Sequence, residues 1–143
     1  MGKKHLVYVF FTLPLFDEPL GLGNKSNCMH NYRELKIWQR SMDLAEVVYQ
    51  KTIEFPKEET YGIKLQIRKS AVSIPSNISE GAGRGTDPQF KYFLEVAMGS
   101  CNELYTQTEL SRRFGYLPAD EAHPILDEAQ QIYRMILAYY NSL

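Results

Sequence analysis

From residue 31 onward, apolar residues recur at spacings of three and four, and no other feature of the 143-residue chain restricts its fold as strongly. An α-helix gathers such positions on one face, whereas a strand needs alternation with period two, which no segment shows. The first helix is predicted to start at Asn31, with Glu34 completing a capping box, and to stop at Phe55-Pro56. Its inward stripe reads Leu35, Trp38, Met42, Ala45, Tyr49 and Thr52. A second helix follows Pro56, with Glu58 and Glu59 at its positive N-terminal end. Its seam is Ile63, Ile67, Ser70 or Ala71, Ile74 and Ile78. Pro75 falls inside this helix and is expected to kink it before Gly81, Gly83 and Gly85 end it.

Thr86, Asp87, Pro88 and Gln89 form a T-x-x-Q start signal for a third helix. That helix turns Phe90, Leu94, Ala97, Cys101, Leu104, Thr108 and Ser111 inward, and Gly99-Ser100 is expected to admit a close helix neighbour. The fourth spans about residues 120–140, with Ile125, Ala129, Ile132, Ile136 and Tyr139 on one face and Pro124 near its first turn. Four helices of roughly 20 residues joined by short loops make an all-α, antiparallel up-down-up-down bundle.

Residues 1–28 break the pattern. Lys3, Lys4 and His5 precede an apolar run from Leu6 to Phe16, followed by a turn-rich stretch holding Pro19, Gly21 and Gly23. The run is shorter than the ~20 residues of a membrane-spanning helix. No small-x-small cleavage site follows it, as a signal peptide requires. Three readings stay open: an extension outside the native protein with Met29 as the start, a signal or anchor, or a segment docked on the bundle. The bundle domain is residues 29–143, and no membrane association is expected.

That domain carries 13 Lys and Arg against 15 Asp and Glu. Such a balance excludes a strongly basic nucleic-acid packager but permits a local basic patch. Cys28 and Cys101 lack the spacing of a metal or redox pair and fit a reducing compartment, the cytoplasm. His5, His30 and His123 are isolated, and no HExxH, GxSxG or Glu-x-x-His motif occurs. No enzyme activity, metal or cofactor is therefore expected. Gly81-x-Gly83-x-Gly85 follows a helix rather than a strand and lacks phosphate-loop spacing.

The cations are better grouped. Lys64 and Arg68 lie one turn apart with Lys69 adjacent, Arg84 occupies the next loop, and Arg112-Arg113 end the third helix. Like charges a turn apart repel unless something answers them, which makes these six the candidate nucleic-acid-binding residues. A solvated surface or a salt bridge to a partner are the alternatives, since Glu109 can pair with Arg113 and a helix C-terminus favours cations. Nine of the ten tyrosines fall between Tyr32 and Tyr140, more than a bundle of this size can hide, and they point to an oligomer interface.

The stretch Ser73-Ile74-Pro75-Ser76-Asn77-Ile78-Ser79-Glu80-Gly81-Ala82-Gly83-Arg84-Gly85 is the most distinctive in the chain. With Tyr32-Arg33-Glu34-Leu35-Lys36-Ile37-Trp38, Phe93-Leu94, Gly99-Ser100 and Glu103-Leu104, it resembles the bacterial 23S rRNA-intervening-sequence (S23-type) proteins. Accessory variability proteins of diversity-generating retroelements share that fold. The resemblance covers about residues 30–143 and implies a four-helix bundle in a ring-shaped homo-oligomer, with a homopentamer expected. It implies RNA, DNA, a reverse transcriptase or another protein as partner. Asn77, Glu80, Gly81, Gly83 and Arg84 are expected either to fix the turn or to make a subunit contact. The expected function is a non-enzymatic oligomeric bundle that binds nucleic acid or assists a partner that handles it; the alternative is a protein-interaction scaffold without nucleic acid.

Overall fold

The computed structural model describes residues 30–143; the expectations for residues 1–28, including Cys28 and His5, lie outside these described residues. Four helices follow in order: α1 (Lys36–Lys51), α2 (Ile63–Ala82), α3 (Asp87–Arg113) and α4 (Ala119–Ser142). Short 3-10 turns at Tyr32–Glu34 and Lys57–Glu59 precede α1 and α2, and the described residues contain no strand. Each helix packs on its chain neighbours, and α4 closes the bundle against α1. The connections are short, so successive helices run antiparallel.

Isoleucine dominates the interior: Ile67, Ile74 and Ile78 from α2 meet Leu94 and Leu104 of α3 and Ile125, Ile132 and Ile136 of α4. Burial of each such side chain contributes about 1.5–3 kcal/mol. The predicted α3 seam, from Phe90 to Ser111, is buried at every position. The α2 seam matches from Ile67 to Ile78, with Ile63 only half-buried. The helix continues unbroken past Pro75 to Ala82.

Helix α1 departs from its predicted register. Ile37, Ser41, Leu44 and Val48 face the core. Of the predicted stripe, Thr52 is fully buried and Leu35, Trp38 and Ala45 pack half-buried against the core, whereas Met42 and Tyr49 are each 44% exposed. Both stripes obey the spacing of three and four and lie about 100° apart around the helix. The true stripe is interrupted by a serine, which disguises it. Ser41 tolerates burial because its hydroxyl donates to the Trp38 carbonyl at 2.8 Å.

The helix starts also differ in detail. Asn31 Nδ2 donates to Glu34 Oε1 at 2.8 Å within the 3-10 turn, and α1 begins only at Lys36, after Leu35 in extended conformation. At α3, Thr86 Oγ1 donates to Gln89 Oε1 at 3.1 Å, so this box closes between side chains and leaves the backbone uncapped. Helix α1 ends at Lys51, four residues before Phe55, and Phe55 turns inward against Tyr116, ring centres 5.8 Å apart.

Candidate interaction site

The distinctive α2–α3 stretch is first a packing device. A Cβ on Gly81 would sit 2.7 Å from both Phe90 Cδ2 and Phe93 Cβ, so only glycine allows α3 this close. Asn77 Nδ2 donates back to the Ser73 carbonyl at 2.8 Å and to Ser73 Oγ at 3.0 Å. Ser73 Oγ in turn meets Ser100 Oγ at 2.7 Å, and Ser70 donates to Gln107 at 2.6 Å. These bonds lace α2 to α3 with short side chains. Arg84 pairs with Glu80, its guanidinium 5.0 Å from the Phe93 ring centre. Gly83 has room to spare, with Glu80 O at 3.5 Å from a built Cβ. Gly99, in contrast to its expected role, has nothing within 4 Å of a built Cβ; Ser100 alone makes the close contact.

The six predicted cations do not converge. Lys64, Arg68, Lys69, Arg112 and Arg113 lie toward the end of the bundle where α1 and α3 finish. Arg84 lies toward the other, some 20 residues along α2 and therefore about 30 Å from Lys64. Lys64 Nζ donates to the Ile53 carbonyl at 3.0 Å. Arg68 donates through Nε to Thr52 Oγ1 at 2.8 Å and through a terminal nitrogen to the Tyr49 carbonyl at 3.2 Å, and it stacks 4.5 Å over the Tyr49 ring. Both side chains thus close the exposed carbonyls where α1 ends. Arg112 grips both oxygens of Glu109 at 2.9 and 2.7 Å, and Arg113 adds a bond at 2.9 Å. The two guanidiniums hold the Glu109 carboxyl down at about 2. Lys69 is exposed and makes no ion pair among the described residues.

A wider concavity lies elsewhere among the described residues, between α1 and α2. This groove of about 700 Å³ is walled by Trp38, Met42, Ala45 and Tyr49 of α1 and Val72 and Pro75 of α2. Tyr32 packs edge-on against Trp38, ring centres 5.3 Å apart, and closes one end. Asp43 and Glu46 line the α1 side. Glu46 accepts only a 3.3 Å bond from the neutral Gln50 amide, and neither carboxylate has an ion pair among the described residues. The groove is built from the residues that the sequence pattern assigned to the core. Its signal was the presence of two competing apolar stripes on α1.

A smaller cavity of about 340 Å³ between α3 and α4 touches Cys101, whose thiol burial pushes up to about 12, leaving it unreactive rather than nucleophilic. No group of three or more His, Cys, Asp or Glu among the described residues is placed to hold a metal. No helix among them is long and apolar enough to cross a membrane.

These features define a class: a small antiparallel four-helix bundle whose second and third helices are fastened by serine contacts and a close approach at Gly81. The profile of the 23S rRNA-intervening sequence protein family matches residues 33–138, and the chain belongs to that family. Its fold is similar to the crystal structure of a protein of unknown function from the S23 ribosomal protein family of Bacteroides thetaiotaomicron VPI-5482. The two share 20% sequence identity and a TM-score of 0.66 over 73% of this chain and 97% of that one. At that identity the likeness speaks to the fold alone. No curated protein matches the chain.

Proposed function

We propose that this protein is a non-enzymatic, oligomeric scaffold that works by protein contact, with the α1/α2 groove as its docking surface. The observation that carries this reading is the exposed pair Met42 and Tyr49, beside the exposed Val72 and the half-buried Trp38. Aromatic and methionine side chains are the types enriched where protein surfaces meet, and Met42 and Tyr49 are each left 44% exposed by the bundle. Light scattering on the purified chain checks the oligomer. Affinity capture after nuclease treatment checks the contact, with a stoichiometric protein partner or self-association expected. A monomer that captures neither removes the scaffold reading.

A second reading keeps nucleic acid as the partner and rests on Lys64, Arg68 and Lys69. Lys64 and Arg68 bond to neutral carbonyl and hydroxyl oxygens, so their positive charges are not cancelled, unlike that of Arg84 on Glu80; Arg112 and Arg113 share Glu109 and keep one net charge between them. Phosphate contacts would give binding that weakens steeply with salt. A gel shift with structured RNA and duplex DNA at ~50 mM salt tests this, and no shift with either eliminates it.

A further inference from the structure

The hollow between α3 and α4 is built from one pattern used twice. Cys101-Asn102-Glu103-Leu104-Tyr105 on α3 and Ala129-Gln130-Gln131-Ile132-Tyr133 on α4 both read small, amide, polar, aliphatic, tyrosine. Leu104 and Ile132 are fully buried in the core. Cys101 and Ala129 are buried too, but short, and a cavity of about 340 Å³ is left beside them. Because α3 and α4 run antiparallel, the half-buried Tyr105 and Tyr133 stand toward opposite ends of it, with the exposed amides of Asn102 and Gln130 at its rim. Burial pushes the Cys101 thiol up to about 12, so no thiolate repels an anion there.

The pattern breaks at one position, and the break carries charge. Tyr105 is followed by Thr106, whose hydroxyl donates to the Asn102 carbonyl at 2.9 Å, whereas Tyr133 is followed by Arg134 at the cavity wall. One turn away on α4, Arg134 has Gln130, Gln131, Leu137 and Ala138, none of them acidic. It makes no ion pair among the described residues, and the side chains of Asn102, Tyr105, Gln130 and Tyr133 make no hydrogen bond there. Tyr116 and Tyr140, by contrast, each donate to a glutamate, and Arg40 grips both oxygens of Glu128. A few free polar groups around a small apolar floor are the make-up of a ligand pocket. The volume lies near the lower end of the roughly 300–1,000 Å³ usual for such pockets, which limits an occupant to about one or two rings.

We propose that the α3/α4 hollow binds a small aromatic acid, with its carboxylate on Arg134, its ring between Tyr105 and Tyr133, and any polar substituent on the Asn102 and Gln130 amides. A planar guanidinium takes a carboxylate through two parallel hydrogen bonds, and tyrosine rings favour edge-to-face or offset contact with another ring. One cation at one end selects an acid with a single anionic end. The site shares no residue with the α1/α2 groove and does not depend on the scaffold reading.

Saturation-transfer NMR on the full chain tests this with benzoate and 4-hydroxybenzoate, against benzyl alcohol, which lacks the charge, and acetate, which lacks the ring. At ordinary ligand efficiency an acid of this size binds at about 10 mM or tighter. Both acids should saturate in that range, benzyl alcohol should bind about tenfold more weakly, and acetate should show no saturable signal. Arg134→Gln should weaken the acids about tenfold and leave benzyl alcohol unchanged. Arg134 is exposed, so the circular dichroism spectrum of this variant should match the parent. Lys69→Gln, which removes an unpaired cation on α2, should change nothing. Three results each overturn the proposal and leave the scaffold reading standing: no saturable binding of either acid, acetate binding as tightly as benzoate, or a loss with Lys69→Gln as large as with Arg134→Gln.

Discussion

Gly81 and Gly83 stand two residues apart at the end of α2 and answer to opposite demands. Alanine is intrinsically better than glycine in a helix by about 1 kcal/mol, but at position 81 the added carbon would meet Phe90 and Phe93 at 2.7 Å. Phe90 is 1% exposed and cannot swing aside. Overpacking of this kind costs about 1–3 kcal/mol, so after the helix gain Gly81→Ala should destabilise by up to about 2 kcal/mol, seen as a lower urea midpoint at unchanged slope. Gly83 has a φ of −84° and a nearest built-Cβ contact of 3.5 Å, so Gly83→Ala should be neutral or stabilising by up to ~1 kcal/mol. The glycine spacing was plain in the sequence; which glycine faces a phenylalanine depends on the α2–α3 crossing and was not. Cys101 offers a second check at this scale. Its thiol is held at about 12 by burial, so in a Cys28→Ser background a thiol reagent at pH 8 should label it only as fast as the bundle unfolds.

Where α1 meets α2, Arg68 fastens one helix to the next. It bonds Thr52 and the Tyr49 carbonyl and covers the Tyr49 ring, so Arg68→Ala should destabilise by about 1–2 kcal/mol, with Arg68→Lys recovering only part. Thermal melting would read this as a drop of several degrees. The last turn of α3 carries a pH-dependent counterpart. Glu109 is held at about 2 by Arg112 first and Arg113 second, below the ordinary 4.5. The fold favours its ionised form, so the contribution is complete above about pH 4.5 and drains away as pH falls toward 2. Glu109→Gln should therefore lie below the parent in stability at neutral pH, with the gap closing across that acid window in urea titrations. Legibility at this scale follows chemistry. The α3 seam contains only apolar or small residues on one stripe and was read without error. The α1 helix carries two neighbouring stripes, and the bulk of Met42 and Tyr49 points the pattern about 100° away from the best-buried one, although Trp38, Ala45 and Thr52 still meet the core. Ser41 shows why, because a buried serine satisfied by its own helix leaves no trace in hydrophobicity. The groove itself could not be read, since it exists only once α1 and α2 lie side by side.

The whole molecule is close to neutral, with 13 basic and 15 acidic residues over positions 29–143, so any grip on nucleic acid must come from uncompensated local charge. Pairing cancels Arg84 against Glu80, whereas Arg112 and Arg113 share the single carboxylate of Glu109 and keep one net positive charge. Lys64, Arg68, Lys69 and that one charge remain. Each phosphate neutralised on duplex DNA contributes about −0.9 to the slope of log affinity against log salt, so four charges set a limit of about −3.6 per chain. Duplex binding followed by fluorescence anisotropy from about 50 to 200 mM salt should then show Lys64→Ala and Lys69→Ala each flattening the slope by about 0.9. Arg112→Ala should flatten it by a similar amount, because Arg113 and Glu109 then cancel one for one. A slope that ignores all three substitutions would take nucleic acid off this end of the bundle and leave protein contact as the work of the molecule.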